Sequence, residues 1–383
     1  MIRKLEVNHY KLFHDFTLDL SDGVNVLCGP NGSGKTSVIE IIYALTRFLA
    51  MPDHSDTIAC SVEDAFPFRT FCRWRIAERG WGETSIKLEI ESADPRSAPH
   101  FHSYVYDLAI RYNFLEKLSR IQYEALQVDG ESLLTFQEGD ICISTDDEKK
   151  LTFKSDWKRS GLVVGSSNNS KIRKFGKQIS SLYAFHLVPA LMKQDVEKPM
   201  ETLDLYGENF AAWRFLHATQ EPMKQARVVE QSKYFIPGLA DIRYIKKGDW
   251  HALAVKVEFD GRENDIEFNE LSDGQKTLLA LYSIVANIPN GSTVLIDEPE
   301  NFLSLGELQP WLEAMNDAWE ERDIQFVIIS HNPRTLNWHN KNAIIFSLKG
   351  NPPKVIVERR TDDDDDPLAD KLRSMEWQED GHA

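Results

Sequence analysis

The chain of 383 residues is long enough to build a full hydrophobic core, as one large domain with a substantial insertion or as two of medium size. Its four cysteines, Cys28, Cys60, Cys72 and Cys142, fall at irregular spacings without a C-x-x-C pair, which argues against a zinc ribbon and against a secreted disulfide framework and fits a reducing cytoplasm. With 44 basic against 60 acidic residues the net charge is −16, a field that repels nucleic acid unless cations are locally concentrated; without a signal-peptide core or a membrane-length apolar stretch, a soluble cytoplasmic protein with no membrane contact is expected.

Taken in chain order, residues 2–10 and 16–20 alternate apolar and polar side chains and residues 24–28 form a compact apolar run, so three short strands are predicted before a glycine-rich turn. From 36 to 49 the pattern becomes helical, with Val38, Ile41, Ile42, Leu45 and Leu49 spaced to bury one face. Between about 51 and 237 no repeat is detectable. Strand-like pieces at 85–90 and 141–144 mix there with helical sequence around 210–216, and without a sustained heptad pattern no long coiled-coil arm is expected. Regularity returns from residue 241, with strands at 252–259 and 265–268, a helix over 278–288 and a buried strand at 293–296. A helix over 308–321, a strand at 325–329 and a hairpin of 343–346 with 354–357 follow, the last turning at Gly350-Asn351-Pro352-Pro353. Strands alternating with helices indicate the α/β class, with a parallel sheet covered on both faces. Asp362 to Asp366, followed by Pro367, reads as a solvated acidic tail.

The chemistry concentrates in a few short motifs. Gly29-Pro30-Asn31-Gly32-Ser33-Gly34-Lys35-Thr36 satisfies G-x-x-x-x-G-K-[ST] between a buried strand and a helix, the context that this motif requires. In such a loop the glycines let backbone N–H groups converge on phosphates, the helix N-terminus adds positive potential, Lys35 brings a mobile charge and Thr36 offers a hydroxyl to Mg²⁺. Gly29, Asn31, Gly32, Ser33, Gly34, Lys35, Thr36 and Ser37 are therefore the candidate nucleotide-binding residues; a bare glycine turn would not need the Lys35-Thr36 pair at this offset. Thr293-Val294-Leu295-Ile296-Asp297-Glu298-Pro299-Glu300 is an apolar strand ending in acids. Asp297 is a candidate Mg²⁺ ligand together with Thr36, and Glu298 is placed to orient or deprotonate an attacking water. Ahead of that strand, Leu271-Ser272-Asp273-Gly274-Gln275-Lys276 opens a helix, where Ser272 and Gly274 form a second anion-binding surface.

In this order the motifs resemble those of the ABC-type ATPases, specifically the RecF/SMC-like branch, whose LS-x-G-Q signature precedes D-E-P-E. The resemblance covers about residues 1–50 and 236–350 and does not reach the middle. It implies an α/β P-loop ATPase head with a mixed sheet and an antiparallel β subregion, plus a mixed α/β insertion. The expected division is 1–50 as the N-terminal part of the ATPase domain with its phosphate loop, 51–235 as the insertion, 236–360 as the C-terminal part and 361–383 as the acidic tail. The resemblance further implies ATP and Mg²⁺ as cofactors, and a trans arrangement in which Ser272, Gly274 and Gln275 of one copy cap the nucleotide held by the phosphate loop of another. A homodimer or higher homo-oligomer is thereby implied. At Ser330-His331-Asn332-Pro333 the family places a switch histidine on the γ-phosphate, so that Glu298, His331 and Lys35 are the candidate catalytic residues. Its short loop after the catalytic acid, which crosses the dimer interface, would be Asn301-Phe302-Leu303-Ser304; relatives often carry Asp or His where Ser304 stands. The family's glutamine loop has no supported match, Gln178 and Gln194 being the candidates.

In the middle, Lys154, Lys158, Arg159, Lys171, Arg173, Lys174 and Lys177 lie among Gly161, Gly165 and a run of Ser and Asn, and read as a flexible basic loop. That loop fits first a solvated surface balancing nearby acids, second phosphate-backbone contact with DNA or RNA, and third a protein partner. His100 and His102 lack a third ligand at suitable spacing for a metal site. Phe66, Phe68, Phe71, Trp74 and Trp81 suggest a small core within the insertion.

Neither an H-N-H arrangement nor a D-x-D cluster of the TOPRIM kind is found, so the ATPase is expected to act on or through another molecule. The leading expectation is an ATP-driven switch resembling stand-alone RecF-like or OLD-like ATPases, which often work with a nuclease or toxin in anti-phage defence or in DNA repair. The alternative is a scaffold or sensor that ATP holds together while it sequesters an effector with little turnover. A transporter motor shares the motifs, but the long insertion after the phosphate loop and the D-E-P-E-N sequence argue against it.

Overall fold

The computed structural model describes residues 1–51, 58–72, 81–93, 101–360 and 368; Trp74, His100 and the acidic run Asp362 to Asp366 lie outside them. The chain opens with β1 (Ile2–Asn8), β2 (Phe16–Asp19), whose residues alternate buried and exposed, and β3 (Val24–Cys28), buried throughout. The helix α1 (Lys35–Phe48) follows, with Val38, Ile41, Ile42 and Leu45 on its buried face, and then the single turn α2 (Val62–Ala65). A series of antiparallel strands comes next: β4 (Trp81–Ala93), β5 (Phe101–Asn113), β6 (Leu118–Val128), β7 (Glu131–Gln137), β8 (Asp140–Ser144) and β9 (Lys150–Lys154). The short α3 (Gly161–Gly165), α4 (Ser170–Ser180), β10 (Leu182–Phe185) and β11 (Asp195–Val196) lead to the helices α5 (Phe210–Gln220) and α6 (Pro222–Ser232). Then come β12 (Leu239–Lys247), β13 (Trp250–Phe259), β14 (Arg262–Glu267), α7 (Asp273–Asn287) and β15 (Thr293–Asp297). The chain continues through α8 (Leu305–Arg322), β16 (Gln325–Ile329), α9 (Pro333–Trp338), β17 (Ala343–Lys349) and β18 (Lys354–Arg359).

These strands make an eight-stranded antiparallel sheet in the order β2-β1-β4-β5-β6-β7-β8-β9, a six-stranded sheet in the order β10-β15-β16-β3-β17-β18, and a smaller sheet of β11, β12 and β14 around β13. In the six-stranded sheet the first five strands run parallel, and only β18 is antiparallel to its neighbour. The chain is thus an α/β head with a mixed sheet and an antiparallel subregion, without a long coiled coil.

A two-sided burial explains the apolar runs of the central strands. Leu27, Leu295, Val327 and Ile329 point into one core, shared with α1 and the antiparallel sheet, whereas Val26, Val294, Ile296, Phe326 and Ile328 point into a second core with α7 and α8. Gln325 ties the two sheets together: it accepts from Ile2 N at 2.9 Å and donates to Ile2 O at 2.9 Å and to Ser21 O at 2.8 Å.

The middle of the chain differs from its sequence-based reading in three ways. First, β4 pairs with β1 and β10 with β15, so both large sheets take strands from residues 51–235. Second, Phe66 and Phe71 are buried in the same core as α1, not in a separate one, while Trp81 is partly exposed with Arg111 over its ring at 4.5 Å. Third, residues 170–180 form α4 instead of a flexible loop. Asn169 caps its first turn, accepting from Lys171 N and Ile172 N, and Ile172, Phe175, Gly176 and Ile179 make a buried stripe that outweighs the Gly, Ser and Asn content before it. Part of the basic cluster is ion-paired, Lys158 with Glu63 at 3.2 Å and Lys171 with Glu131 at 2.6 Å. His102 Nδ1 donates to Asp129 at 2.7 Å.

Candidate nucleotide site

Parallel strands in level register place their carboxyl ends along one edge. Phe185 is opposite Ile296, Asp297 opposite Ile329, and Ile329 opposite Leu27, so that the residues following β10, β15, β16 and β3 meet there. At this edge a cavity of about 210 Å³ is lined by Lys11, Leu12, Asn31, Gly32, Gly34, Lys35, Thr36, Ser37, Glu298, Ile329 and His331. The phosphate loop, the acid after β15 and the histidine after β16 thus share one cavity. Lys11 and Leu12, from the turn between β1 and β2, join it without any mark in their own sequence.

The loop's backbone explains its glycines. Gly29, Gly32 and Gly34 have φ of +132°, +76° and +97°, a region that side chains disfavour. At Gly29 a Cβ would also fall 2.1 Å from the carbonyl oxygen of Phe346 on β17. Gly34 is the N-cap of α1 and supplies no side-chain cap, so the first N–H groups of this helix are left for another acceptor. Lys35 Nζ donates to the carbonyls of Gly29 at 2.7 Å and Pro30 at 2.8 Å, and burial lowers its pKa. The Ser33 hydroxyl is buried without a hydrogen-bond partner among the described residues. A glycine loop leading into an uncapped helix N-terminus with a buried ammonium has the chemistry of an anion cradle.

Asp297 is almost fully buried, and its Oδ2 accepts from Nδ1 of His186 at 2.9 Å. This bond raises the His186 pKa, outweighing the opposing effect of burial. His186 directly follows β10 and was not among the sequence candidates; its partner is 111 residues away in the chain, and only the pairing of two short strands joins them. Neither glutamine-loop candidate lines the cavity. Gln194 donates to Glu267 at 2.7 Å and accepts from Asn269 N at 3.2 Å, and Gln178 lines a groove with Met1, Arg3 and Trp319. Thr36 and Asp297 are hard oxygen donors, a set that suits Mg²⁺ retaining several waters, and the described residues contain no group of three or more His, Cys, Asp or Glu able to hold a metal alone.

Glu298 has a left-handed backbone, φ +45°, unusual for a residue with a side chain. Its Oε2 accepts from Asn301 Nδ2 at 2.7 Å and its Oε1 lies 3.6 Å from His331 Nε2. Glu300 accepts from the Ser330 hydroxyl and from Asn332 N, so it braces the segment that carries His331. Burial raises the Glu300 pKa.

Ser272 and Gln275 close a capping box at the start of α7: Ser272 Oγ accepts from Gln275 N at 3.2 Å, and Gln275 Oε1 accepts from Ser272 N at 3.0 Å. A Cβ on Gly274 would lie 2.7 Å from the carbonyl oxygen of Phe302. Ser272, Gly274 and Gln275 do not line the phosphate cavity of their own chain. Ser304 begins α8 in a capping box with Glu307. No helix among the described residues is long and apolar enough to cross a membrane.

Comparison with known proteins bears on the family and the fold. The RecF DNA replication and repair protein of Chlorobium luteolum is 39% identical over 64 residues, 16% of this chain and 17% of its own length. That of Bifidobacterium adolescentis is 34% identical over 90 residues, 21% of this chain and 22% of its own length, so the chain spans only a small part of the RecF proteins that it matches. Among solved structures, an SMC head bound to the C-terminal winged-helix domain of ScpA aligns over 94% of this chain and 97% of that one, with a TM-score of 0.53 at 13% identity, a likeness of fold. The model of the family described as "AAA domain, putative AbiEii toxin, Type IV TA system" matches residues 24–337. The chain belongs to that family, and these matches bear out the resemblance of its motifs and fold to ABC-type ATPases of the RecF/SMC-like branch.

Proposed function

We propose that the cavity at the carboxyl edge of the central sheet binds Mg-ATP and hydrolyses it to ADP and phosphate. The observation that carries this reading is the convergence of Lys35, Glu298 and His331 on the phosphate-loop cavity, with the Glu298 carboxylate held between Asn301 and His331. Residues 29–37 receive the phosphates, with Lys35 turning from its loop carbonyls to the β- and γ-phosphates. Thr36 and Asp297 hold the Mg²⁺ that accompanies the nucleotide and neutralises charge on the phosphates. Glu298 orients the attacking water and accepts its proton, and His331 contacts the γ-phosphate.

The site is completed by a second copy. Ser272, Gly274 and Gln275 sit at a helix N-terminus, whose N–H groups and dipole suit an anion, yet do not line the cavity of their own chain; in our reading they cap the nucleotide of the partner copy. ATP closes the assembly and hydrolysis opens it, a two-state switch that controls a nuclease or toxin effector, or nucleic acid, in anti-phage defence or DNA repair.

The first test is the solution mass of the Glu298→Gln protein with and without Mg-ATP. A nucleotide-dependent increase supports the shared site. An unchanged monomer rejects it, and an oligomer that forms without ATP favours a scaffold over a switch.

A further inference from the structure

We infer that Asn301 is a positioning residue for Glu298, clamping one oxygen of its carboxylate so that the other faces the phosphate cavity. The inference rests on the hydrolytic reading proposed for Glu298.

Two contacts make the clamp. Asn301 N donates to Glu298 O at 3.1 Å and closes a tight turn over residues 298–301, while Asn301 Nδ2 donates to Glu298 Oε2 at 2.7 Å. The left-handed backbone of Glu298, φ +45°, bends the chain enough for the side chains three residues apart to meet. With Oε2 occupied, Oε1 is the oxygen left toward His331 Nε2, 3.6 Å away, and both side chains line the cavity. A carboxylate on a flexible stem would otherwise distribute over several orientations, and general-base work depends on holding one of them. An amide suits this task because it donates a hydrogen bond without adding charge beside the phosphates.

The turn is itself fixed from both sides. Glu300 accepts from the Ser330 hydroxyl and from Asn332 N at 3.3 Å, tying the turn to the segment that bears His331. On the other side the carbonyl of Phe302 lies against Gly274, where a Cβ would come within 2.7 Å, so the first turn of α7 backs the same loop. Asn301 therefore belongs to a braced turn with a defined direction for its amide.

The test uses three substitutions in the full chain and reads steady-state ATP turnover, binding of the fluorescent analogue mant-ATP, and thermal stability. Asn301→Asp keeps the shape but removes the amide donor, Asn301→Ala removes the side chain, and Asn301→Gln keeps the donor on a longer stem. The clamp predicts a fall in kcat of about tenfold for Asn301→Ala and at least as much for Asn301→Asp, with mant-ATP affinity within about twofold of wild type and recovery of most of the loss by Asn301→Gln. In a Glu298→Gln background Asn301→Ala should have no further effect on turnover. Wild-type kcat in both Asn301→Asp and Asn301→Ala overturns the inference, as does a loss that appears only as weaker nucleotide binding or lower melting temperature. The underlying reading fails separately: a wild-type protein without turnover, or a Glu298→Gln protein as active as wild type, removes the role of Glu298 and the clamp with it. A wild type that loses activity with Glu298→Gln but with neither Asn301→Asp nor Asn301→Ala removes the clamp alone.

Discussion

His186 Nδ1 donates to Asp297 Oδ2 across 2.9 Å, joining the carboxyl ends of two neighbouring parallel strands, β10 and β15. The bond fixes the rotation of a carboxylate that is almost fully buried. Outer partners of this kind hold a ligating group in the orientation its metal requires, and their removal typically costs about 10–100-fold in affinity. On the proposed role of Asp297, His186→Ala should weaken the Mg²⁺ dependence of mant-ATP binding by about tenfold, and His186→Gln, which keeps a donor, should recover part of it. A Mg²⁺ titration at fixed mant-ATP reads the effect directly.

Gly29→Ala is expected to damage the fold as well as the site. The residue combines φ +132° with a Cβ position 2.1 Å from Phe346 O, so the phosphate loop and β17 cannot both keep their places. Strained backbone and overpacking together should cost about 3 kcal/mol or more, visible as a lower urea midpoint. Gly32, at φ +76° with open space around it, should give a smaller loss when replaced by Ala.

Lys35→Ala should separate binding from stability. Its ammonium donates to two carbonyls of its own loop, charge-assisted contacts worth about 1.5–3 kcal/mol each to the fold. Loss of the charge facing the phosphates should reduce mant-ATP affinity by roughly 100-fold. Lys35→Arg should not restore binding, since a planar guanidinium cannot replace a compact ammonium in a buried loop. Isothermal titration together with a denaturation curve distinguishes the two effects.

His339, at the end of α9, provides a pH signature of folding. It is buried, its Nε2 has no hydrogen-bond partner among the described residues, and burial pushes its pKa down to about 4 from 6.5. The unfolded chain protonates this imidazole first as pH falls, so its contribution to stability is fully present above pH 6.5 and is lost progressively toward pH 4. By pH 5 the loss should be about 2 kcal/mol. Urea unfolding at pH 7 and pH 5 should show this extra acid sensitivity in the wild type and a reduced one in His339→Gln.

The central sheet and much of its site were legible in the sequence because their signals are local. Residues 24–36 carry strand, glycine turn and helix in one stretch, and the buried runs at 293–296 and 326–329 lead directly into the polar residues Asp297 and Ser330. The antiparallel sheet was harder, although Tyr104, Tyr106, Leu108, Ile110 and Tyr112 alternate inward along β5 and carry a readable period of two. At α4 the Gly, Ser and Asn content preceding the helix obscured its apolar stripe, and β10 has only four residues, too few for a periodicity to register. His186 depends entirely on tertiary pairing, and nothing adjacent to it in the chain announces Asp297 as its partner.

The clasp between Ile2 and Gln325 has a consequence for the order in which this protein is made. The first strand leaves the ribosome early, but its neighbour β4 supplies residues 85–90 much later, and the glutamine amide that satisfies Ile2 on both its N–H and its carbonyl arrives after most of the chain. Until β4 is made, one edge of β1 is unpaired and can associate with other nascent chains, and Ile2 keeps unsatisfied backbone groups until Gln325 arrives; contacts over such separations make for slow folding. Ile2 is satisfied only after a segment 323 residues further along has been made, so chaperone protection of residues 2–8 should matter more during translation than after it.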